Sequence, residues 1–519
     1  MGNYFMGLDY GTGGCKVCII DEHADVLAYA YRQYEILTNQ DNYSEHKATD
    51  YWPLTCDMIN ECIQKAGVDP KEIRGIGTSS ALPSLVLVDR EGNPVHNAYN
   101  LMDRRADKQE KWLVEHVGVQ KIFELTGNRI EDHPILVNLL WEKENRPEAY
   151  KKIYKALTID GYIRLKLTGT HTAHHSAGTF YGVAYNLREN KFDEKLMKEL
   201  GISMDLMPDF YRCEDIVGEV SEQAAGETGL AQGIEVAGGQ VDCNAGWIGG
   251  GAIAAGDVQM NLGTCGNIGI VHEREEFFEN MFNIRYTTDC TKTYITVTTT
   301  QTGGQSLRYL KENFGDLETA MEKLLPDFDA YDYLNMEAEK ISVGSEGLVV
   351  LPYLMGERTP IWDNDARGVI FGLSLYHTKA HLVRAMLEGV AYALYDSFRI
   401  LKDSGIHINY PLVMNEGGAK SRLWRRIITD VLNVPTVFVK NRVGAPYGDA
   451  LLAGVATGYF KDYSIAKEKA EYVEPMDPIP ENHEIYMQYF DIYKSLYEHV
   501  KQDYKTLSKL RNRSGQEEK

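Results

Sequence analysis

No stretch of this chain reaches 18 uninterrupted apolar residues, so no segment reads as a membrane-spanning helix. Positive charge is also in short supply. The 54 lysines and arginines face 75 aspartates and glutamates, for a net charge of −21. That balance argues against a nucleic-acid partner or an anionic membrane surface, and it leaves room for a local phosphate grip. Cysteine is sparse and scattered. There are eight, Cys15 and Cys18 being the closest pair, and no second pair completes a zinc site. Reduced thiols in a cytoplasmic setting are the reading. The start, Met-Gly-Asn-Tyr-Phe, lacks the basic and apolar regions of a signal peptide, and Met6 stands where a myristoylation start wants Ser or Thr. No low-complexity linker interrupts the chain. What is present is an ordinary globular composition, 44% hydrophobic and 25% charged, over 519 residues. That length favours two or more domains.

One stretch organises the rest: Met6-Gly-Leu-Asp9-Tyr-Gly11-Thr12-Gly13-Gly14-Cys-Lys16-Val-Cys-Ile-Ile20. It reads as two strands joined by a glycine turn. The glycines let backbone N–H groups turn inward and an anion approach closely. Asp9 is an acceptor-only carboxylate suited to hydrated Mg²⁺. An ordinary hairpin is the competing reading. The design returns in Met260-Asn261-Leu262-Gly263-Thr264-Cys265-Gly266-Asn267. Gly11, Thr12 and Gly14 match Gly263, Thr264 and Gly266 at one constant offset, and Asp9 matches Asn261. Two such turns suggest a duplicated domain.

Between the turns the pattern is mixed α/β. Thr49 or Asp50 can cap a helix with Trp52, Cys56, Ile59, Ile63 and Ala66 on one face. Residues 73–80 read as a short strand with glycines. Val236 to Gly246 reads as a strand that delivers Asp242 to a glycine-flanked turn before a small-residue helix. In the second half, Thr378 caps a long helix, Leu412-Val-Met414 leads into Gly417-Gly418-Ala419-Lys-Ser421 and a helix, and residues 444–458 form a glycine-started helix. Residues 484–507 keep helical spacing.

In this order the pieces resemble the FGGY carbohydrate kinases of the actin and sugar-kinase superfamily, over nearly the whole chain. The most specific match is Gly368-Val-Ile-Phe-Gly372-Leu373, then seven residues, then His381 to Glu388, which is similar to the family's C-terminal signature. The N-terminal signature is only partly matched, with Asn138 where the family has Lys. The resemblance implies an α/β fold of two duplicated actin-like (ribonuclease H-like) ATPase domains, 1–247 and 248–519, around a central cleft. It implies ATP-dependent phosphorylation of a sugar hydroxyl, with Asp242 as general base and Asp9 on the Mg²⁺ side. Gly11, Thr12, Gly13, Lys16, Gly263 and Thr264 would hold phosphates. Gly304, Gly418, Ala419 and Ser421 would line the base and ribose. Asp103, Arg104, Ser80 and Gln240 would bind the sugar or polyol together with Asp242. The partner is this small molecule, with no nucleic acid or membrane, and a homodimer stays open. A xylulose- or ribulose-like ketopentose leads the substrate classes. Glycerol, a tetritol or a deoxy-ketose is the alternative, and a non-catalytic actin-like nucleotide switch is the reading from another class. The loop Thr78 to Ser84 carries neither the Met-His-Gly element of D-xylulose kinases nor the Arg-Glu pair of glycerol kinases, so the sugar is not read out.

Overall fold

The computed structural model describes residues 2–40, 42–325, 327–440 and 443–517. The chain forms two compact units. Unit one is Met1–Ala255, Val271–Ile295 and Asn441–Ala470, and unit two is Gly256–Ile270, Thr296–Lys440 and Glu471–Lys519.

The elements that frame unit one are β1 (Tyr4–Tyr10), β2 (Gly14–Ile20), β3 (Val26–Gln33), α1 (Tyr51–Ala66), β4 (Ile73–Ser80), α2 (Ile159–Thr168), β5 (Ile216–Glu219), β6 (Glu235–Ala237), β7 (Gln240–Val241) and α3 (Asp242–Gly249). Those of unit two are β8 (Asp257–Leu262), β9 (Gly266–His272), β10 (Tyr294–Thr300), α4 (Gly304–Phe314), α5 (Ala330–Glu339), α6 (Lys379–Asp403), β11 (Asn409–Asn415), α7 (Arg422–Leu432) and β12 (Thr436–Lys440). Helix α8 (Ala445–Ala456) returns to unit one, and β13 (Glu471–Met476) and α9 (Pro480–Glu517) complete unit two.

Unit one's sheet runs β5-β6-β4-β1-β2-β3, with β7 also on β4. Strand β1 is antiparallel to β2 and parallel to β4. Unit two's strands run β10-β9-β8-β11-β12-β13. Here β8 is antiparallel to β9 and parallel to β11. Each glycine-threonine turn therefore joins the same pair of neighbours in its own sheet, as a duplication requires.

Strand β1 is buried on both faces, which explains its near-continuous apolar reading. Met6, Leu8 and Tyr10 join Val17, Ile19, Tyr51, Met58 and Ile59 in one core. Phe5, Gly7 and Asp9 face the other way, towards α8. That helix lies directly on the sheet because side chains are missing beneath it. A Cβ on Gly7 would stand 1.8 Å from the Pro446 carbonyl oxygen, and one on Gly77 would stand 2.0 Å from that of Asp449. A Cβ on Gly448 would meet the Ala245 oxygen at 2.0 Å, so α8 sits equally close on α3.

Two expectations shift. The buried face of α1 is Tyr51, Trp52, Thr55, Met58, Ile59 and Cys62, while Cys56 is only half-buried. The stripe is rotated by about one position, because Thr55 turns inward to hydrogen-bond the Tyr10 hydroxyl and the Tyr51 carbonyl, and the Tyr51 ring packs edge-on against Tyr10. The Asp50 side chain makes no capping bond, since a short turn over Ala48–Asp50 already runs into the helix. The C-terminal helix spans Pro480–Glu517, longer than its apolar spacing suggests, with Pro480 at its first position. Helix α6 begins at Thr378 as expected, through a capping box with His381.

Candidate functional site

Strand register assembles the acidic group of unit one. On β1 and β4, Asp9 lies opposite Ser79, and Gln240 on β7 pairs with Ser79 from the far side. The β1–β2 hairpin puts Lys16 across from Asp9. Lys16 Nζ donates to Asp9 Oδ2 at 2.7 Å, and Ser79 Oγ approaches Asp9 Oδ1 at 3.3 Å. Burial works against the Lys16 ammonium, but the charge and hydrogen bond of Asp9, then the charge of Asp242, hold its pKa above the ordinary lysine value. Asp9, Lys16 and Asp242 thus share one field. Asp242 opens α3 as its first residue, with Oδ1 taking the Cys243 N–H at 2.6 Å, and is partly exposed. The glycine turn is drawn tight by the Gly11 N–H to the Gly14 oxygen at 3.0 Å, and the Tyr34 hydroxyl donates to the Gly11 oxygen. Thr12 is half-buried and Gly13 exposed. A Cβ on Gly13 would meet nothing within 4 Å, so the turn's outer edge is open.

The other expected sugar residues are placed differently. Asp103 is fully buried. Its Oδ1 takes the backbone and Nε protons of Arg105 at 3.2 and 2.8 Å. Its Oδ2 takes the Ser44 N–H at 2.7 Å and Arg105 Nη2 at 2.6 Å. A carboxylate offers about four acceptor positions, and all are filled. The Arg105 guanidinium in turn lies over the Tyr43 and Tyr99 rings at 3.9 and 3.8 Å. Arg104 Nη1 donates to Asp132 and His133, both at 2.7 Å. Ser80 points to the opposite face of β4 from Ser79 and donates to Asp160 at 2.5 Å. Asp160 is buried with Arg164 and His174. Gln240 does join the acidic group: its Nε2 donates to Asp449 Oδ1 at 2.9 Å, while its buried Oε1 has no hydrogen-bond partner.

Unit two carries a cavity of about 590 Å³. Gly263, Thr264, Gly304, Gly418 and Ser421 line it, and Ala419, fully buried, does not. The second glycine turn is pinned by the Gly304 N–H to the Gly263 oxygen at 2.6 Å and by the Gly303 N–H to the Thr264 oxygen at 2.9 Å. A Cβ on Gly418 would meet the Leu262 oxygen at 2.8 Å. Ser421 caps α7, its Oγ accepting from Trp424 N at 3.2 Å. The N-termini of α4 and α7 both open on this cavity, which suits an anion. Sequence reasoning missed Arg308, Tyr331, Asn335 and Lys420, which also line it. It placed Ser79 only within the sugar-selecting loop, and it missed Asp449. The one available signal for Asp449 is its standing as the lone charge in the apolar helix Ala-Pro-Tyr-Gly-Asp-Ala-Leu-Leu-Ala-Gly-Val-Ala. Among the described residues no helix is long and apolar enough to cross a membrane.

The family model for the N-terminal domain of the FGGY family of carbohydrate kinases matches residues 4–249. The model for that family's C-terminal domain matches residues 258–457. The chain is similar to a xylulose kinase of Bacillus subtilis (strain 168), 28% identical over 502 residues, covering 96% of this chain and 97% of that protein. It is also similar to a gluconokinase of the same organism, 26% identical over 498 residues, covering 96% of each. Among solved structures it resembles the xylulose kinase from Rhodospirillum rubrum, with a TM-score of 0.88 and 25% identity, covering 97% of this chain and 100% of that one. Matched in both domains, with its two sheets each built around a glycine turn, the chain belongs to the FGGY family of carbohydrate kinases.

Proposed function

We propose that this carbohydrate kinase transfers the γ-phosphoryl group of ATP to a hydroxyl of a ketopentose of the xylulose or ribulose type. The observation that carries the catalytic reading is placement: Asp242 opens α3 directly after β7, whose Gln240 pairs with Ser79, and Ser79 in turn lies beside the Asp9–Lys16 pair. Phosphoryl transfer asks for an acceptor hydroxyl oriented towards the γ-phosphate and a carboxylate to take its proton. Asp242, partly exposed at the start of α3, serves as that base. Gln240, buried two residues before it, steadies the strand that carries the base through its bond to Asp449. Lys16 and the Gly11–Gly13 turn steady phosphate oxygens. The cavity of unit two, with two helix N-termini and the Gly263–Thr264 turn on its wall, takes the nucleotide.

Magnesium suits this donor set. Mg²⁺ keeps several waters and takes one or two carboxylates beside the phosphates, so a dedicated cage of side chains is not required. Asp9 supplies a hard carboxylate already turned to this group, and it is the residue that would hold the ion through water. Held there by Asp9, Mg²⁺ would offset the negative charge of the phosphates. Asp103 and Arg104 enter as residues that hold the sugar loop in shape, since Asp103 has no acceptor left for a hydroxyl. Ser80 acts likewise through Asp160.

The similarity to xylulose kinases favours the ketopentose, and that to a gluconokinase makes gluconate the second candidate. Coupled ADP-release assays with xylulose, ribulose, gluconate, glycerol and erythritol test the choice. The reading expects the highest kcat/KM on a ketopentose. A higher kcat/KM on gluconate would replace it.

A further inference from the structure

Asp449 stands on α8, fully buried, with its carboxyl against β4 and β7. Its Oδ2 lies 2.7 Å from Ser79 Oγ, and the same hydroxyl lies 3.3 Å from Asp9 Oδ1. A serine hydroxyl has one proton and two lone pairs. It cannot donate to two carboxylates at once, so one of them must bring a proton of its own. Asp9 Oδ2 already has a cation beside it, Lys16 Nζ at 2.7 Å. Among the described residues no ion pair involves Asp449, whose Oδ1 meets only the neutral Gln240 amide at 2.9 Å. An ionised Asp449 would be a buried charge without a cation, on the same hydroxyl as another charge, which is costly.

We propose that Asp449 is a positioning residue that carries a proton and donates it to Ser79, so that the Ser79 hydroxyl in turn donates to Asp9. Every proton then has one direction: Gln240 Nε2 to Asp449 Oδ1, Asp449 Oδ2 to Ser79, Ser79 to Asp9 Oδ1, and Lys16 to Asp9 Oδ2. Burial, followed by the charge of Asp9, pushes the Asp449 carboxyl well above the usual carboxylate range, in the same sense. One helix thereby orders both the metal-side carboxylate and the glutamine two residues before Asp242. The backbone approach that permits it is built from Gly7, Gly77 and Gly448.

The inference rests on the kinase reading above, and its test separates the two. Asparagine copies the neutral acid: its Nδ2 donates to Ser79 and its oxygen accepts from Gln240. Asp449→Asn should keep kcat within about threefold of wild type. Asp449→Leu and Ser79→Ala should each lose roughly 10- to 100-fold in kcat, the scale of a small misplacement at a reacting centre, with both KM values within about threefold. The double variant should be no worse than either single one, because the residues act as a unit. An Asp449→Asn enzyme as slow as Asp449→Leu would overturn the proposal, since an ionised carboxylate would then be what matters. So would wild-type kcat in Ser79→Ala, the variant that leaves helix packing untouched if Asp449→Leu fails to fold. Melting of the ligand-free protein supplies a readout free of catalysis. Loss of one buried hydrogen bond should lower Tm by about 2–4 °C in Ser79→Ala, with Asp449→Asn close to wild type. If the wild type phosphorylates no sugar or polyol, the kinase reading fails by itself. The relay is then judged by melting alone, and equal losses in Asp449→Asn and Ser79→Ala would refute it.

Discussion

Replacing Gly77 by alanine tests how the site is held together. The added Cβ would stand 2.0 Å from the Asp449 carbonyl oxygen, 2.9 Å from its carbonyl carbon and 3.3 Å from its Cα. All three are backbone atoms of α8, so no side chain can swing aside. Ordinary contact begins at 3.4 Å, and 3.4 − 2.0 gives a displacement of about 1.4 Å for helix or strand. The Ser79–Asp449 bond starts at 2.7 Å and would pass out of hydrogen-bond reach. Overpacking of this kind costs about 1–3 kcal/mol. Unit one is larger than the domains for which 1 kcal/mol moves Tm by about 2–4 °C, and at about 1.5 °C per kcal/mol the expected fall in Tm is about 1.5–5 °C. A misplacement of about 1 Å at a reacting centre costs on the order of 100-fold in rate, so kcat should fall by that order while nucleotide affinity holds. Melting by fluorimetry and coupled ADP release measure the two effects. Gly226→Ala is the control: nothing lies within 4 Å of its added Cβ in the helix Glu222–Thr228, and helix propensity alone predicts a gain of up to about 1 kcal/mol. A Gly77→Ala enzyme with wild-type melting and wild-type kcat would refute the reasoning that the missing Cβ places Asp449.

Asp242→Asn should lower kcat by about 100- to 10,000-fold, the usual worth of a general base, with MgATP binding by calorimetry close to wild type; turnover within tenfold would remove Asp242 as the base. Asp103→Ala removes one of the two carboxylates on the buried Arg105, the other being Glu45, and should cost about 1–3 kcal/mol in urea unfolding. Unchanged stability with a raised sugar KM would instead return Asp103 to hydroxyl recognition. Burial opposes the charge on Asp160, but Arg164 and His174 outweigh it and hold its carboxyl far below the ordinary range. A depressed folded pKa stabilises above the unfolded value of about 3.9 and loses that contribution as pH falls towards the folded value. Asp160→Asn should therefore lower stability at pH 7 and flatten its decline below about pH 5. An acid limb as steep as wild type would count against the Arg164–Asp160–His174 assignment.

What could be read from the sequence is what the backbone itself does. A tight turn that keeps its backbone open needs glycines at fixed positions, so Gly11–Gly14 and Gly263–Gly266 announce themselves without any tertiary knowledge, and each does join two antiparallel strands. The signature at 368–388 is equally legible, yet it names the family without naming the chemistry. Glu388, its last residue, is buried on Arg384, Ser345 and the Gly344 N–H, a structural network that lines neither the cavity of unit two nor the acidic group of unit one. Side-chain roles were harder to read because a strand's faces alternate. Ser80 and Ser79 differ by one position, and a single step decides between Asp160 behind the sheet and Asp9 at its working face. Asp103 was read from its own neighbourhood, where Arg105 two residues away fills its acceptors. Asp449 shows in the sequence only as the lone charge of an apolar helix, which gives no role. Its meaning arises only where it meets Ser79, far away in the chain, and that meeting depends on atoms that are absent at Gly7 and Gly77. In a linear sequence those glycines look like weak strand formers. In the folded unit they are the space that α8 occupies, and the chemistry proposed for Asp9 depends on that space staying empty.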